Sequence, residues 1–110
     1  ADLTAFGVDC RGKQATSHSG YTGYMWVQPV NMCTLFNTLA PPNWEYPSCM
    51  TAAGNMVGDN RGVYPARSSH TGIVVHGFAD GSVRLIDDGI DTAVYQGLGT
   101  RNGGEAVQPP

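Results

Sequence analysis

The sequence predicts a mainly β, α+β fold: an antiparallel sheet closed by a C-terminal hairpin, with one short helix after it. Three observations carry this reading. The 110 residues include 15 glycines and 7 prolines, so turns are frequent and long helices few. Two apolar, β-branched stretches flank Asp80-Gly81, the strongest short hairpin signal. Behind them Asp91 precedes TAVYQGL, an N-cap followed by a run suited to two helical turns.

The elements follow in chain order. Residues 1–23 are polar and glycine-rich without clear periodicity, and read as a loosely structured lead-in with one strand at Leu3–Val8. Tyr24–Val30 is aromatic and β-branched enough for a strand, which Pro29 ends or confines to an edge because proline cannot donate to a ladder. Asn31–Leu39 suits a short helix or a second strand equally. Pro41, Pro42 and Pro47 then force a stiff non-helical excursion. Residues 51–69 read as loop, with Gly54, Gly58 and Gly62 as breakers. Thr71–Ala79 and Ser82–Ile86 form the hairpin. A type I′ turn at Asp80-Gly81 joins them, since glycine takes positive φ freely and aspartate better than most. Alternation puts Val83 and Leu85 on one face and Ser82, Arg84 and Ile86 on the other. Gly97 or Gly99 ends the helix, and residues 101–110 form a frayed tail.

Length and composition narrow the function. The length fits one domain. Charged residues make up 14% of the chain, well under the roughly 25% of an ordinary soluble domain, so it is no charged, solvated segment. The net charge is −3 with six Lys plus Arg and no basic run, which argues against nucleic acid or an anionic membrane surface as partner. No apolar stretch approaches the roughly 20 residues of a membrane span. The start, ADLTAFGVDC, has neither the basic nor the apolar region of a signal peptide, so export would rely on a segment removed or carried by another polypeptide.

The three cysteines, Cys10, Cys33 and Cys49, form no CxxC pair, which argues for a disulfide and an oxidising compartment over a zinc knuckle. Cys33–Cys49 is the favoured pairing. It closes a loop of about 16 residues across the proline-rich excursion, worth about 3 kcal/mol in the chain-entropy picture. Cys10 is then available to a partner chain. In the competing arrangement Cys49 pairs with Cys10, and Cys33 is a buried thiol.

Other residues invite chemistry with less force. His70 is a candidate ligand or base, but its commoner role is to hydrogen-bond backbone near the hairpin and fix the preceding loop. His18 and His76 are dispersed from it, which is weak support for zinc. Asp80, Asp87, Asp88 and Asp91 crowd one region and raise a calcium site, although a turn and a helix cap already account for Asp80 and Asp91. Ser68, Ser69, His70 and Cys49 suggest a hydrolase only faintly, since there is no GxSxG elbow. Among Tyr24, Trp26, Trp44 and Tyr46, the pair set among prolines, Trp44 and Tyr46, is the candidate exposed contact surface.

Two phrases carry a resemblance. The first is His70, nine residues, then Asp80-Gly81, followed by GSVR, Ile90-Asp91 and the ending LGTR with GGE. The second is Phe36-Asn37-Thr38-Leu39-Ala40-Pro41-Pro42-Asn43 with Ser48-Cys49 behind it. Together they cover about half of the chain, and they resemble a large bacterial pseudopilin-like family of unknown function, of planctomycete type, with a C-terminal H-x9-DG motif. The resemblance implies a prepilin-type leader, a long apolar N-terminal helix and a β-rich pilin-like head. This sequence carries only part of the head, so it is expected to be a fragment or one half of a divided pilin whose helix another chain supplies. The expected function is a non-enzymatic structural subunit of an extracellular pilus-like or type II secretion-like assembly, with other pilin chains as partners and no cofactor. The alternative is a calcium- or glycan-binding module on the same fold.

Overall fold

A computed structural model describes residues 2–13, 27, 34–50, 61–101 and 103–104. The chain is α+β, with the order α1 (Leu3–Gly12), β1 (Cys49–Met50), β2 (Gly62–Val63), β3 (Ile73–Gly77), β4 (Val83–Asp87) and α2 (Thr92–Leu98). The strands form two antiparallel two-stranded sheets, β1 with β2 and β3 with β4. The chain divides into two compact units. One comprises residues 1–37 and 45–64, the other residues 38–44 and 65–110. The strand expected over Tyr24–Val30 lies outside the described residues except for Val27, as do His18 and Cys33.

In the first unit the lead-in is a helix, not the extended segment with a strand at Leu3–Val8 that its polarity suggests. Asp2 caps it, accepting a hydrogen bond from the Thr4 N–H at 3.0 Å. Leu3, Phe6, Gly7 and Cys10 are its buried or half-buried residues, the i, i+3, i+4, i+7 stripe of a helix that buries one face. The stripe is short and half of it is glycine and cysteine, so hydrophobicity alone hides it. A 10-residue helix is marginal by itself in water, and its tertiary attachments matter accordingly.

Those attachments run to residues 45–49. Cys10 and Cys49 form a disulfide with Cα atoms 6.1 Å apart, and both are 1% exposed. This corrects two expectations. Cys49 is not bonded to Cys33, and Cys10 is not an available thiol for a partner chain. Spacing favoured the shorter loop, but the helix brings Cys10 against β1 over a separation of 39 residues. Arg11, the next residue, donates to the Glu45 carbonyl at 3.2 Å, and its guanidinium lies 4.4 Å from the centre of the Tyr46 ring.

Cys49 pairs with Val63 and Met50 with Gly62, so Gly62 is a strand residue rather than a loop breaker. A side chain there would collide with the Cys49 carbonyl and the Tyr64 ring, which is why the position is glycine. Asn37 extends the pairing. Its N–H donates to the Tyr64 carbonyl at 2.9 Å, its Nδ2 to the Gly62 carbonyl at 2.9 Å, and its Oδ1 accepts from the Tyr64 N–H at 3.2 Å.

The second unit is built on the hairpin. Val74 pairs with Ile86 and Val75 with Leu85. Val74, His76 and Ile86 are buried on one face, whereas Val75, Val83 and Leu85 are exposed on the other. The turn differs from the two-residue type I′ expectation. Gly81 N–H donates to the Phe78 carbonyl at 2.9 Å and Phe78 N–H to the Ser82 carbonyl at 2.9 Å, which leaves three loop residues. Only Gly81 among them has positive φ, at 84°. This is a type I turn ended by a left-handed glycine, a geometry in which Asp80 needs no strained backbone. Asp91 caps α2 by accepting from the N–H groups of Ala93 and Val94, and Gly99 closes the helix. Gln96 Nε2 then ties α2 to the Leu39 carbonyl at 3.0 Å.

Candidate functional site

Three features of the second unit could serve function: a polar cleft, a buried histidine–tyrosine pair and an exposed apolar sheet face.

The cleft has a volume of about 380 Å³ and is lined by residues 67–72 together with Asn43 and Asp88. Its loops are held from several sides. Asn43 sits in the left-handed region at φ 53°, one of the few residue types that tolerates it. Its N–H donates to the Ala66 carbonyl at 2.9 Å, and its Oδ1 accepts from the Ser68 N–H at 2.8 Å. Arg67 Nη1 donates to the Trp44 carbonyl at 2.7 Å, and desolvation pulls the guanidinium pKa below its ordinary value. Ser68 Oγ accepts from the His70 N–H at 3.0 Å, and the Asp88 N–H donates to the Gly72 carbonyl at 2.9 Å. His70 itself is exposed at the lip. Among the described residues its ring makes no hydrogen bond to the hairpin backbone, so its backbone N–H, not its imidazole, shapes the loop.

His76 does what was expected of His70. Its Nδ1 lies 3.1 Å from the Val74 carbonyl, and its Nε2 lies 2.8 Å from the Tyr95 hydroxyl. A carbonyl only accepts, so Nδ1 carries a proton and donates it to Val74. The rings meet edge to face with centroids 5.6 Å apart. Burial pushes the Tyr95 pKa from its ordinary 10.0 up to about 12. The sign follows: an unfolded chain ionises this phenol first, so its contribution to stability is present below about pH 10 and lost as pH rises towards 12. Tyr95→Phe is expected to flatten that part of the alkaline stability profile, measured by urea unfolding at stepped pH. An unchanged profile would place the alkaline transition elsewhere. No periodicity links positions 76 and 95, so sequence reasoning could not have found the pair; the parity of His76 with Val74 was its one visible sign.

The other candidate residues fall as follows. Trp44 and Tyr46 are 8% and 7% exposed, so they are core and not a contact surface. Pro42 and Pro65 are themselves fully buried. Asp80 Oδ1 accepts from the Ser82 N–H, Asp87 Oδ1 from the Gly89 N–H, and Asp91 caps α2. These three carboxylates organise their own turns, while Asp88 lines the cleft. Among the described residues no group of three His, Cys, Asp or Glu could hold a metal ion. Cys49 is in a disulfide and offers no thiolate, and Ser68 spends its hydroxyl on backbone. Arg67 and Thr71, which line the cleft beside His70, were not singled out by sequence, and Asn43 stood out only as the end of the phrase that starts at Phe36.

The chain belongs to the family designated SBP_bac_10, a protein of unknown function (DUF1559), which matches residues 6–93. No curated protein and no solved structure matches it. Among the described residues no helix is long and apolar enough to cross a membrane.

Proposed function

We propose that this chain is a non-enzymatic structural subunit, the exported head of a pilus-like or type II secretion-like assembly outside the cytoplasm. Its partners are other pilin-type chains. The observation that carries the reading is the outer face of the β3–β4 hairpin. Val75, Val83 and Leu85 are 59%, 69% and 61% exposed, and Val75 and Leu85 are direct cross-strand partners. Adjacent exposed aliphatic side chains on a rigid strand pair are the usual mark of a protein contact, whereas isolated ones are not. The disulfide supports export, since such bonds persist in oxidising compartments. The resemblance to pseudopilin-like sequences supplies the kind of assembly.

The test is sedimentation of material from the native source, with the wild-type chain and a Val75→Ser, Leu85→Ser double variant compared. The wild type is expected in large complexes with other pilin chains, and the variant as a folded protein released from them. A wild-type chain found solely as a monomer, or a variant that still co-sediments, would rule the reading out.

A further inference from the structure

We propose that β3 pairs edge to edge with β3 of a second copy of this chain, antiparallel about a two-fold axis at Val75, so that two hairpins form one four-stranded sheet. Strand backbone makes the contact, not the apolar face that carries the assembly reading, and it holds or fails apart from that reading.

The ladder shows which backbone groups are available. Hydrogen bonds from Asp88 N–H to the Gly72 carbonyl and from Phe78 N–H to the Ser82 carbonyl, both at 2.9 Å, mark bonded pairs at the two ends of the hairpin. Bonded and non-bonded pairs alternate along an antiparallel ladder, so Val74–Ile86 and His76–Arg84 are bonded pairs as well. The N–H and C=O groups of Ile73, Val75 and Gly77 therefore point away from β4. Among the described residues no further strand pairs with them. A side chain at Gly77 would meet nothing within 4 Å, so the space there is open.

Such edges are usually blunted by lysine, proline or a bulge. β3, Ile-Val-Val-His-Gly, has none of these, and it pairs with β4 without interruption from Ile73–Asp87 to Gly77–Val83. The β4 edge is less suited, because the Asp87 carbonyl already accepts from Ile90 N–H at 3.2 Å where the strand enters its turn.

A copy of β3 fits this edge. In a two-fold pairing Ile73 faces Gly77 of the copy and Val75 faces itself, which satisfies every outward group at once. No Asp, Glu, Lys or Arg lies on the strand, so no like charges meet. The side chains of Val75, Val83 and Leu85 from both copies then share one outer face. On the inner face, where Tyr95 of α2 meets His76, the two helices lie side by side. A two-stranded hairpin is roughly 10 Å across and packed helices sit roughly 8–10 Å apart, so they fit.

A contact between five-residue strands is small beside the roughly 1,200–2,000 Å² of stable interfaces, so the dimer is expected to be weak, with Kd on the order of 0.1 mM. The test is sedimentation equilibrium of the purified full chain from ~0.01 to ~1 mM, with amide hydrogen exchange at both ends of that range. By mass action the Ile73, Val75 and Gly77 amides should slow about 4-fold at the higher concentration, and those of Val83 and Leu85 should not. Gly77→Pro, which removes one outward N–H and no ladder bond, should abolish the dimer. Val83→Pro, its counterpart on the other edge, should leave Kd within about 2-fold. Should Gly77→Pro misfold, the wild-type exchange pattern decides. A chain that stays monomeric at ~1 mM would overturn the proposal, as would a dimer whose residue 73, 75 and 77 amides exchange independently of concentration. A pure-chain dimer that fails to co-sediment with pilin chains would leave this contact standing and remove the assembly reading; a monomer that co-sediments would do the reverse.

Discussion

Loss of the Cys10–Cys49 disulfide is expected to cost about 4 kcal/mol, the value the chain-entropy picture assigns to a bridge closing about 39 residues. For a chain of this size that is a fall in Tm on the order of 15 °C. The effect should be large for a second reason. α1 is only 10 residues long, and its last turn is fastened to residues 45–49 by this bond and by Arg11. Without the bond, Arg11 must hold the helix through an exposed ion pair with Glu45 at 3.6 Å and a ring contact with Tyr46, which together contribute about 1–2 kcal/mol. Cys10→Ser and Cys49→Ser should therefore each lower Tm and reduce helical circular dichroism. Non-reducing peptide mapping should recover Cys10 linked to Cys49. A Cys33–Cys49 peptide would refute this connectivity.

The contrast between the two cysteine pairings shows where sequence reasoning loses its grip. The hairpin was legible because its signals are local. Alternation over Val74, Val75 and His76 assigns faces, and the Asp80-Gly81 punctuation marks the reversal. Even there, residue type could not separate a two-residue turn from a three-residue turn with a left-handed glycine, since both want glycine at position 81. The cap at Asp91 was legible for the same local reason. The first unit was not, because what organises it is remote in sequence: a helix stripe including Gly7 and Cys10, a bridge to Cys49, and Asn37 pairing with Tyr64. Trp44 and Tyr46 show the same limit. Prolines on either side predict an excursion, but not whether it turns outward or tucks its aromatics into the core.

The two phrases behind the family resemblance gain a physical meaning from the structure. Asn37 and Asn43 each clamp a returning backbone segment, Asn37 at residues 62–64 and Asn43 at residues 66–68. Asn43 also occupies a left-handed backbone position that most residues resist. The phrase from Phe36 to Asn43 thus acts as a pair of side-chain clips rather than as chemistry. In the phrase that starts at His70, Gly81 ends the turn and His70 stands at the cleft, so the stretch from His70 to Gly81 spans one wall of that cleft, β3 and the turn.

Ile86→Ala is expected to cost about 2–5 kcal/mol, while Leu85→Ala, one residue away, should cost under about 0.5 kcal/mol. Ile86 is 0% exposed and faces Val74 across the ladder; Leu85 is 61% exposed and faces Val75. Truncating the first removes buried apolar area and leaves a cavity. Truncating the second removes surface that water already reaches. Urea unfolding of the isolated variants checks the pair, and equal costs would mean that the hairpin's outer face is covered within the chain itself. That outcome would also remove the support for assembly, because a face already covered cannot receive a partner. The expected pattern is the opposite one: position 86 governs whether the unit folds, and position 85 governs whether the folded unit joins others.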